Sequence, residues 1–119
     1  MICNMTLDQA LVPAVSHYIG GRIGSAMVIL QEVQVKGELP ELIAAIDTSR
    51  ASCLSSCNDL IVRPGIYAKQ QTYQLSPQDR DFLQMTRQKI EQSHWRNLKE
   101  VQELSDFVDA YCQQGNMLR

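Results

Sequence analysis

The sequence Ser76-Pro77-Gln78-Asp79 begins the last third of the chain, and after it neither glycine nor proline occurs until Gly115. Serine is a good helix N-cap, proline is pre-set for the first helical position, and an early aspartate favours the positive end of the helix dipole. Gly115 and Asn116 are typical helix stops. These residues predict one long C-terminal helix.

Apolar residues and one histidine recur along this segment at steps of three, four or seven, the pattern of a single buried stripe. At about 1.5 Å per residue, the roughly 38 residues from Pro77 to Gln114 extend about 57 Å. A compact chain of this size has a radius of gyration of only about 13 to 14 Å. We therefore expect this helix to project beyond its own chain, although the sequence leaves open a break near Ser93 to Asn97. The stripe consists of Leu83, Ile90, His94, Leu98, Val101, Leu104, Val108 and Tyr111, and Phe82, Trp95 and Phe107 widen it.

Two helices are predicted before residue 37. Thr6-Leu7-Asp8-Gln9 matches a capping box, so we expect a helix from Leu7. Pro13 lies inside this helix, and Gly20-Gly21 predicts a kink or a break in it. A second helix is expected from Arg22 to Lys36, where Gly37 stops it. Its β-branched residues leave a strand over 22–36 as an alternative.

A further helix begins at Pro40 and ends at Arg63-Pro64-Gly65. Its apolar residues follow a seven-residue rhythm that Arg50 interrupts, and its small residues allow close helix packing. The alternating pattern over 66–75 predicts an extended connector. The whole chain, residues 1–119, is thus predicted to be one all-α domain, an antiparallel helical bundle of three to four helices with a long C-terminal helix.

Composition narrows the class of protein. The 119 residues are 45% hydrophobic and 20% charged, with a net charge of −2, which is typical of a soluble globular protein and offers no general attraction to nucleic acid or anionic lipid. The start Met1-Ile2-Cys3-Asn4 does not resemble a secretory leader, so we expect a cytoplasmic protein with reduced thiols. Residues 10–30 are nearly long enough to span a membrane, but Arg22 and several glycines argue against a span.

The sequence also suggests two alternative functional sites, one for a metal ion or thiol chemistry and one for nucleic acid. Cys53 and Cys57 lie one helical turn apart and, with His94, are the candidate metal ligands or reactive thiols, yet buried cysteines more often act as small apolar residues. Glu91 and His94 form only half of a di-iron motif. The other alternative is nucleic-acid binding by a basic stretch around Trp95. That stretch contains Arg87, Lys89, His94, Arg96 and Lys99.

No set of catalytic residues and no cofactor motif converges in the sequence, so we expect no enzymatic activity, no cofactor and no resident metal. The projecting helix favours a small cytoplasmic interaction protein instead, with an adaptor, chaperone-like or regulatory role. It would act by self-association, as a homodimer, or by binding a partner helix in a groove. The predicted interface residues are Trp95, Leu98, Val101, Leu104, Val108 and Tyr111.

Overall fold

The computed structural model describes residues 11–66 and 74–117, with side chains as far as residue 114, and every regular element within them is helical. This confirms the predicted all-α class. The elements are α1 (Val12–Ala14), a π-helical turn π1 (Val15–Gly20), α2 (Gly21–Lys36), α3 (Pro40–Val62), α4 (Pro77–Glu91) and α5 (Leu98–Met117).

The first three elements follow one another without interruption, so that residues 12–36 form a single rod. The predicted break at Gly20-Gly21 is wrong, because both glycines keep right-handed helical angles. The irregularity is the wider winding of π1, which ends at Gly20 and so borders the position where a kink or a break was predicted. The strand alternative for 22–36 is also wrong, and the predicted start at Leu7 lies outside the described residues. Pro13 occupies one of the first two positions of α1, where proline is well tolerated.

Short local signals end α2 and begin α3 as predicted. Gly37 adopts a φ of 89°, a left-handed conformation that glycine reaches without strain, and its N–H donates to the Val33 oxygen. Leu39 is extended and Pro40 occupies the first turn of α3. With only three residues between the helices, α3 runs back along α2. The predicted connector over 66–75 lies mostly outside the described residues.

The continuous helix predicted from Pro77 to Gln114 is wrong. The chain leaves the helix after Glu91, turns through residues 92–97, called here the α4–α5 turn, and returns as α5. The segment therefore forms a hairpin of two helices. The start was predicted correctly, because the Ser76 side chain accepts a hydrogen bond from the Asp79 N–H at 3.1 Å.

The described part of the chain packs as an antiparallel bundle of four rods, which are residues 12–36, α3, α4 and α5. In this bundle α2 lies between α3 and α5, and α4 packs against α3. Side-chain contacts give the direction: Asn58 accepts a hydrogen bond from Arg87, and Asp47 pairs with Arg96 farther along. The molecule measures 48 × 27 × 22 Å. Its core draws on every rod, and its largest fully buried side chains include Trp95, Phe82, Leu11, Ile19, Ile23, Ile46, Leu60, Leu83 and Ile90.

Candidate functional site

Arg50 of α3 binds the end of α4. Its Nε donates to the Ser93 oxygen at 2.6 Å and to the Ile90 oxygen at 3.2 Å, and its Nη2 donates to the Glu91 oxygen at 3.3 Å. The last carbonyls of a helix have no partner inside the helix, and a guanidinium has five donors in a fixed plane. The residue that interrupts the apolar rhythm of α3 therefore ends α4 and holds it against α3.

Trp95 lies in the middle of the α4–α5 turn and has an unusual backbone conformation. It adopts a φ of 57°, a left-handed conformation that is uncommon for any residue except glycine and unfavourable for a bulky one. Its side chain is fully buried, and its indole N–H meets no acceptor among the described residues. Both features cost free energy. Packing of the indole ring in the core is the stabilising contribution that offsets them.

Polar side chains complete the turn and start α5. The Asn97 side chain accepts a hydrogen bond from the Lys99 N–H at 2.9 Å, and its carbonyl accepts the Val101 N–H, so Asn97 is the N-cap of α5. Ser93 Oγ accepts from the Trp95 N–H at 3.2 Å. Arg96 pairs with Asp47 of α3 at 2.8 Å. The turn is thus fastened to α3 at Arg50 and at Asp47.

The predicted interface residues lie mainly inside the chain's own bundle. Trp95, Val101, Leu104 and Val108 are buried, and Leu98 and Tyr111 are half-buried against the same core. The reason is the fold-back of α5, which lays its apolar stripe on the α1–α2 rod and α4. The expectation that a projecting helix exposes this stripe to a partner is therefore wrong for the folded chain.

An aromatic stack joins the two helices of the hairpin. Phe82 of α4 lies with its ring centroid 4.0 Å from that of Tyr111 and 5.4 Å from that of Phe107, both on α5. The Lys89 ammonium lies 5.1 Å from the Phe107 ring centroid, within cation–π range. These contacts close the bundle along the side where α4 meets α5.

The cysteines lie in the core. Cys53 and Cys57 are both fully buried, and Cys53 Sγ donates to the Ile19 carbonyl oxygen at 3.7 Å. A hydrogen bond with Cys57, reinforced by burial, raises the pKa of the Cys53 thiol. Burial, with a smaller effect of Asp109, raises the pKa of Cys112 to about 11. The raised pKa values keep the sulfurs of Cys53 and Cys112 as thiols, which are weaker nucleophiles and metal ligands than thiolates.

The remaining candidate side chains do not converge on a chemical site. His94 is exposed in the α4–α5 turn, and within residues 11–66 and 74–117 no three His, Cys, Asp or Glu side chains are grouped closely enough to hold a metal ion. The basic side chains around Trp95 remain on the surface or partly so, but the buried indole presents no face for a base to stack on. Beside the turn is a shallow groove of about 260 Å³, lined by Lys89, Gln92, Ser93, Trp95, Glu100, Glu103 and Leu104.

Sequence reasoning missed one surface, the outer face of α2, defined by Gly21, Gly24, Ser25, Val28 and Val35. Val28 is 62% exposed and Val35 is 85% exposed. A Cβ atom added at Gly24 would meet nothing within 4 Å, and one at Gly21 would touch only the Ser16 carbonyl of its own helix, at 4.0 Å. The seven-residue spacing of Gly21, Val28 and Val35 is visible in the sequence and could have revealed this face.

Comparisons with protein-family models, with curated proteins and with solved structures found no match. Over the described part of the chain, none of the helices combines the length and the apolar character needed to cross a lipid bilayer.

Proposed function

We propose that this chain is a non-enzymatic helical interaction protein that self-associates through the outer face of α2. The observation that carries the proposal is the pair of exposed valines, Val28 and Val35, in line with Gly21 on a helix whose opposite side is buried. Exposed apolar patches mark contact sites more often than isolated apolar side chains do, and the two valines share one face of α2, with the exposed Gln31 and Glu32 between them. The free thiols of Cys53, Cys57 and Cys112 support a reducing, cytoplasmic setting.

The glycines strengthen the argument. Glycine in the middle of a helix costs about 1 kcal/mol relative to alanine. Nothing in the described part of the chain packs against a Cβ at Gly24, so internal packing gives no reason for this cost. A bare stretch of helix backbone allows the backbone of another helix to approach closely. The face is therefore suited to a helix from outside the chain.

The partner that fits is a second copy of the same helix. Gly21, Val28 and Val35 are evenly spaced, so antiparallel packing about a two-fold axis at Val28 places Val35 of each copy over Gly21 of the other. Val35 of each copy then meets a position without a side chain, and the two Val28 side chains meet each other at the axis, which makes the face self-complementary. The same packing brings Arg22 of one copy alongside Glu32 of the other, so that opposite charges meet at both ends.

Sedimentation equilibrium from about 10 µM to about 1 mM tests this proposal. The unmodified chain is expected to form dimers, and Val35→Asp to remain monomeric with an unchanged circular dichroism spectrum, because it places a charge in an apolar contact. Val62→Asp is the matched control, since Val62 is 75% exposed at the end of α3, and it is expected to dimerise normally. A monomeric unmodified chain, or equal effects of the two variants, would contradict the proposal.

Gly21→Ala separates association from folding. An added methyl group touches only the chain's own helix, so it is expected to stabilise the monomer by up to about 1 kcal/mol through helix propensity. It is expected to weaken the dimer, because the methyl group occupies the place of the second copy's Val35. A variant that is more stable and dimerises as well as before would show that this glycine does not lie in the contact.

A further inference from the structure

The α4–α5 turn has a sequence that is compatible with a helix. Residues 92–97, Gln-Ser-His-Trp-Arg-Asn, contain neither glycine nor proline, and the hydrophobic stripe continues through them. The same segment therefore suits two arrangements: the hairpin of the structure and one straight helix from Pro77 to Met117. A hinge of this kind is the usual requirement for exchange of an identical element between two copies of a protein.

The hairpin contains unfavourable features that straightening removes. Trp95 leaves its left-handed φ of 57° when it enters a helix. The Glu91 and Ser93 carbonyls, which accept from Arg50 in the hairpin, gain partners within the helix. The Ile90 carbonyl, which now accepts from both Arg50 and the Ser93 N–H, keeps a backbone partner there. The buried indole N–H, which has no acceptor among the described residues, becomes free to find one. Short hinges under strain favour exchange over closure.

We propose that α5 exchanges between two copies of this chain, with the α4–α5 turn straightened into a helix. Each α5 then occupies the other copy's groove between α1–α2 and α4, and repeats the contacts it makes in the closed chain, including those of Val101, Leu104 and Val108. The two straightened hinges cross at the two-fold axis, where the Trp95 rings cover each other. The straight helix of 41 residues extends about 61 Å, longer than the 48 Å of the closed chain. This exchange goes beyond the α2 contact, and neither requires the other.

Proline at position 98 distinguishes the two arrangements. Leu98 is the first residue of α5 after the N-cap Asn97, a position where proline is well tolerated. In a straight helix the same proline lies in the interior, where it removes a hydrogen bond and clashes with the preceding turn. Leu98→Ala is the matched control, because it removes the same half-buried side chain without constraining the backbone. Leu98→Pro is expected to reduce the exchanged dimer at least about 100-fold relative to Leu98→Ala.

The experiment is performed in the Val35→Asp background, so that the α2 contact does not contribute dimers. The chain is concentrated in mild denaturant, returned to buffer and separated by size. The expected result is a dimer from Leu98→Ala and only a folded monomer from Leu98→Pro. Absence of a dimer from Leu98→Ala, or equal dimer from both variants, would overturn the exchange and leave the α2 proposal standing.

A distance measurement decides the case if Leu98→Pro does not fold. Nitroxide amino acids are placed at the exposed positions Asp81 and Asp106, and labelled chains are diluted with unlabelled ones, so that only distances within a chain are observed. In the closed hairpin these positions lie on neighbouring helices, whose axes pack about 8 to 10 Å apart. In a straight helix their 25-residue separation gives about 38 Å. The purified dimer is expected to show the long distance, and a short one would overturn the exchange.

Discussion

At the scale of single residues, burial decides what each candidate group can do. Trp95, expected to anchor a partner or stack on a base, has no exposed surface, and Cys53 and Cys57 are enclosed in the core. Arg50, which the sequence pattern marked only as an interruption, makes three hydrogen bonds to the end of another helix. The type of a side chain therefore predicts which interactions it can make. Its burial and neighbours in the folded chain decide which of them it does make.

Cys112 should make stability depend on pH in alkaline solution. Its folded pKa of about 11 lies above the value of 9.0 for a free thiol. A group with a raised folded pKa contributes full stability below the unfolded pKa and loses it as the pH rises toward the folded pKa. We expect about 2 kcal/mol of the free energy of unfolding to be lost between pH 9 and pH 11. Urea titrations across this pH range should show a smaller loss of unfolding free energy in Cys112→Ala than in the unmodified chain. The same dependence of this free energy on pH in both chains would contradict the assignment.

At the scale of helices, the ends are set by two kinds of contact. Local contacts suffice for the start of α4 at Ser76 and the stop of α2 at Gly37, because the groups that satisfy the free backbone lie within a few residues. Distant contacts set the end of α4, where the satisfying group is Arg50, some 40 residues earlier in the chain. This difference explains why the first two boundaries were predicted from sequence and the third was left open.

Arg50→Met is expected to destabilise the chain by about 2 to 3 kcal/mol, because it keeps the apolar stem and leaves the carbonyls of Ile90 and Ser93 without their charged donor. Urea denaturation with a tryptophan fluorescence readout measures the loss, since Trp95 is the single tryptophan in the chain. Arg80→Met, at an exposed position of α4, is the control and should change stability by less than about 0.5 kcal/mol. Equal effects would show that Arg50 does not hold the turn.

At the scale of the whole molecule, fold-back of the last third replaces a projecting helix by a closed bundle. The apolar stripe of the last third is covered by the chain itself, and within the described residues two of the most exposed apolar side chains, Val28 and Val35, lie on the outer face of α2. The interaction hypothesis therefore rests on a different helix from the one that first suggested it. The apolar stripe of α5 can take part in association only if α5 leaves its own bundle.

Leu104→Asp tests the closed bundle. Leu104 is 6% exposed, so the variant places a carboxylate in the core and is expected to lower the free energy of unfolding by at least about 3 kcal/mol. Ala110→Asp introduces the same group on the exposed side of α5 and should cost less than about 1 kcal/mol. Circular dichroism during urea titration compares them. A stable, well-folded Leu104→Asp monomer would show that this side chain faces solvent.

Local signals in the sequence were enough for the all-α class, the helix between Pro40 and Val62, the cap at Ser76 and the apolar stripe of the last third, because each depends on spacing or on neighbours within one turn. The turn after Glu91 depends on the rest of the chain. Burying Trp95, Val101, Leu104 and Val108 contributes about 1.5 to 3 kcal/mol for each side chain. Interrupting the helix removes a few backbone hydrogen bonds and places Trp95 in a strained conformation. Hydrogen bonds from Arg50 and to Asn97 offset part of this cost. Burial outweighs that cost, and the segment folds back although nothing within it forbids a straight helix.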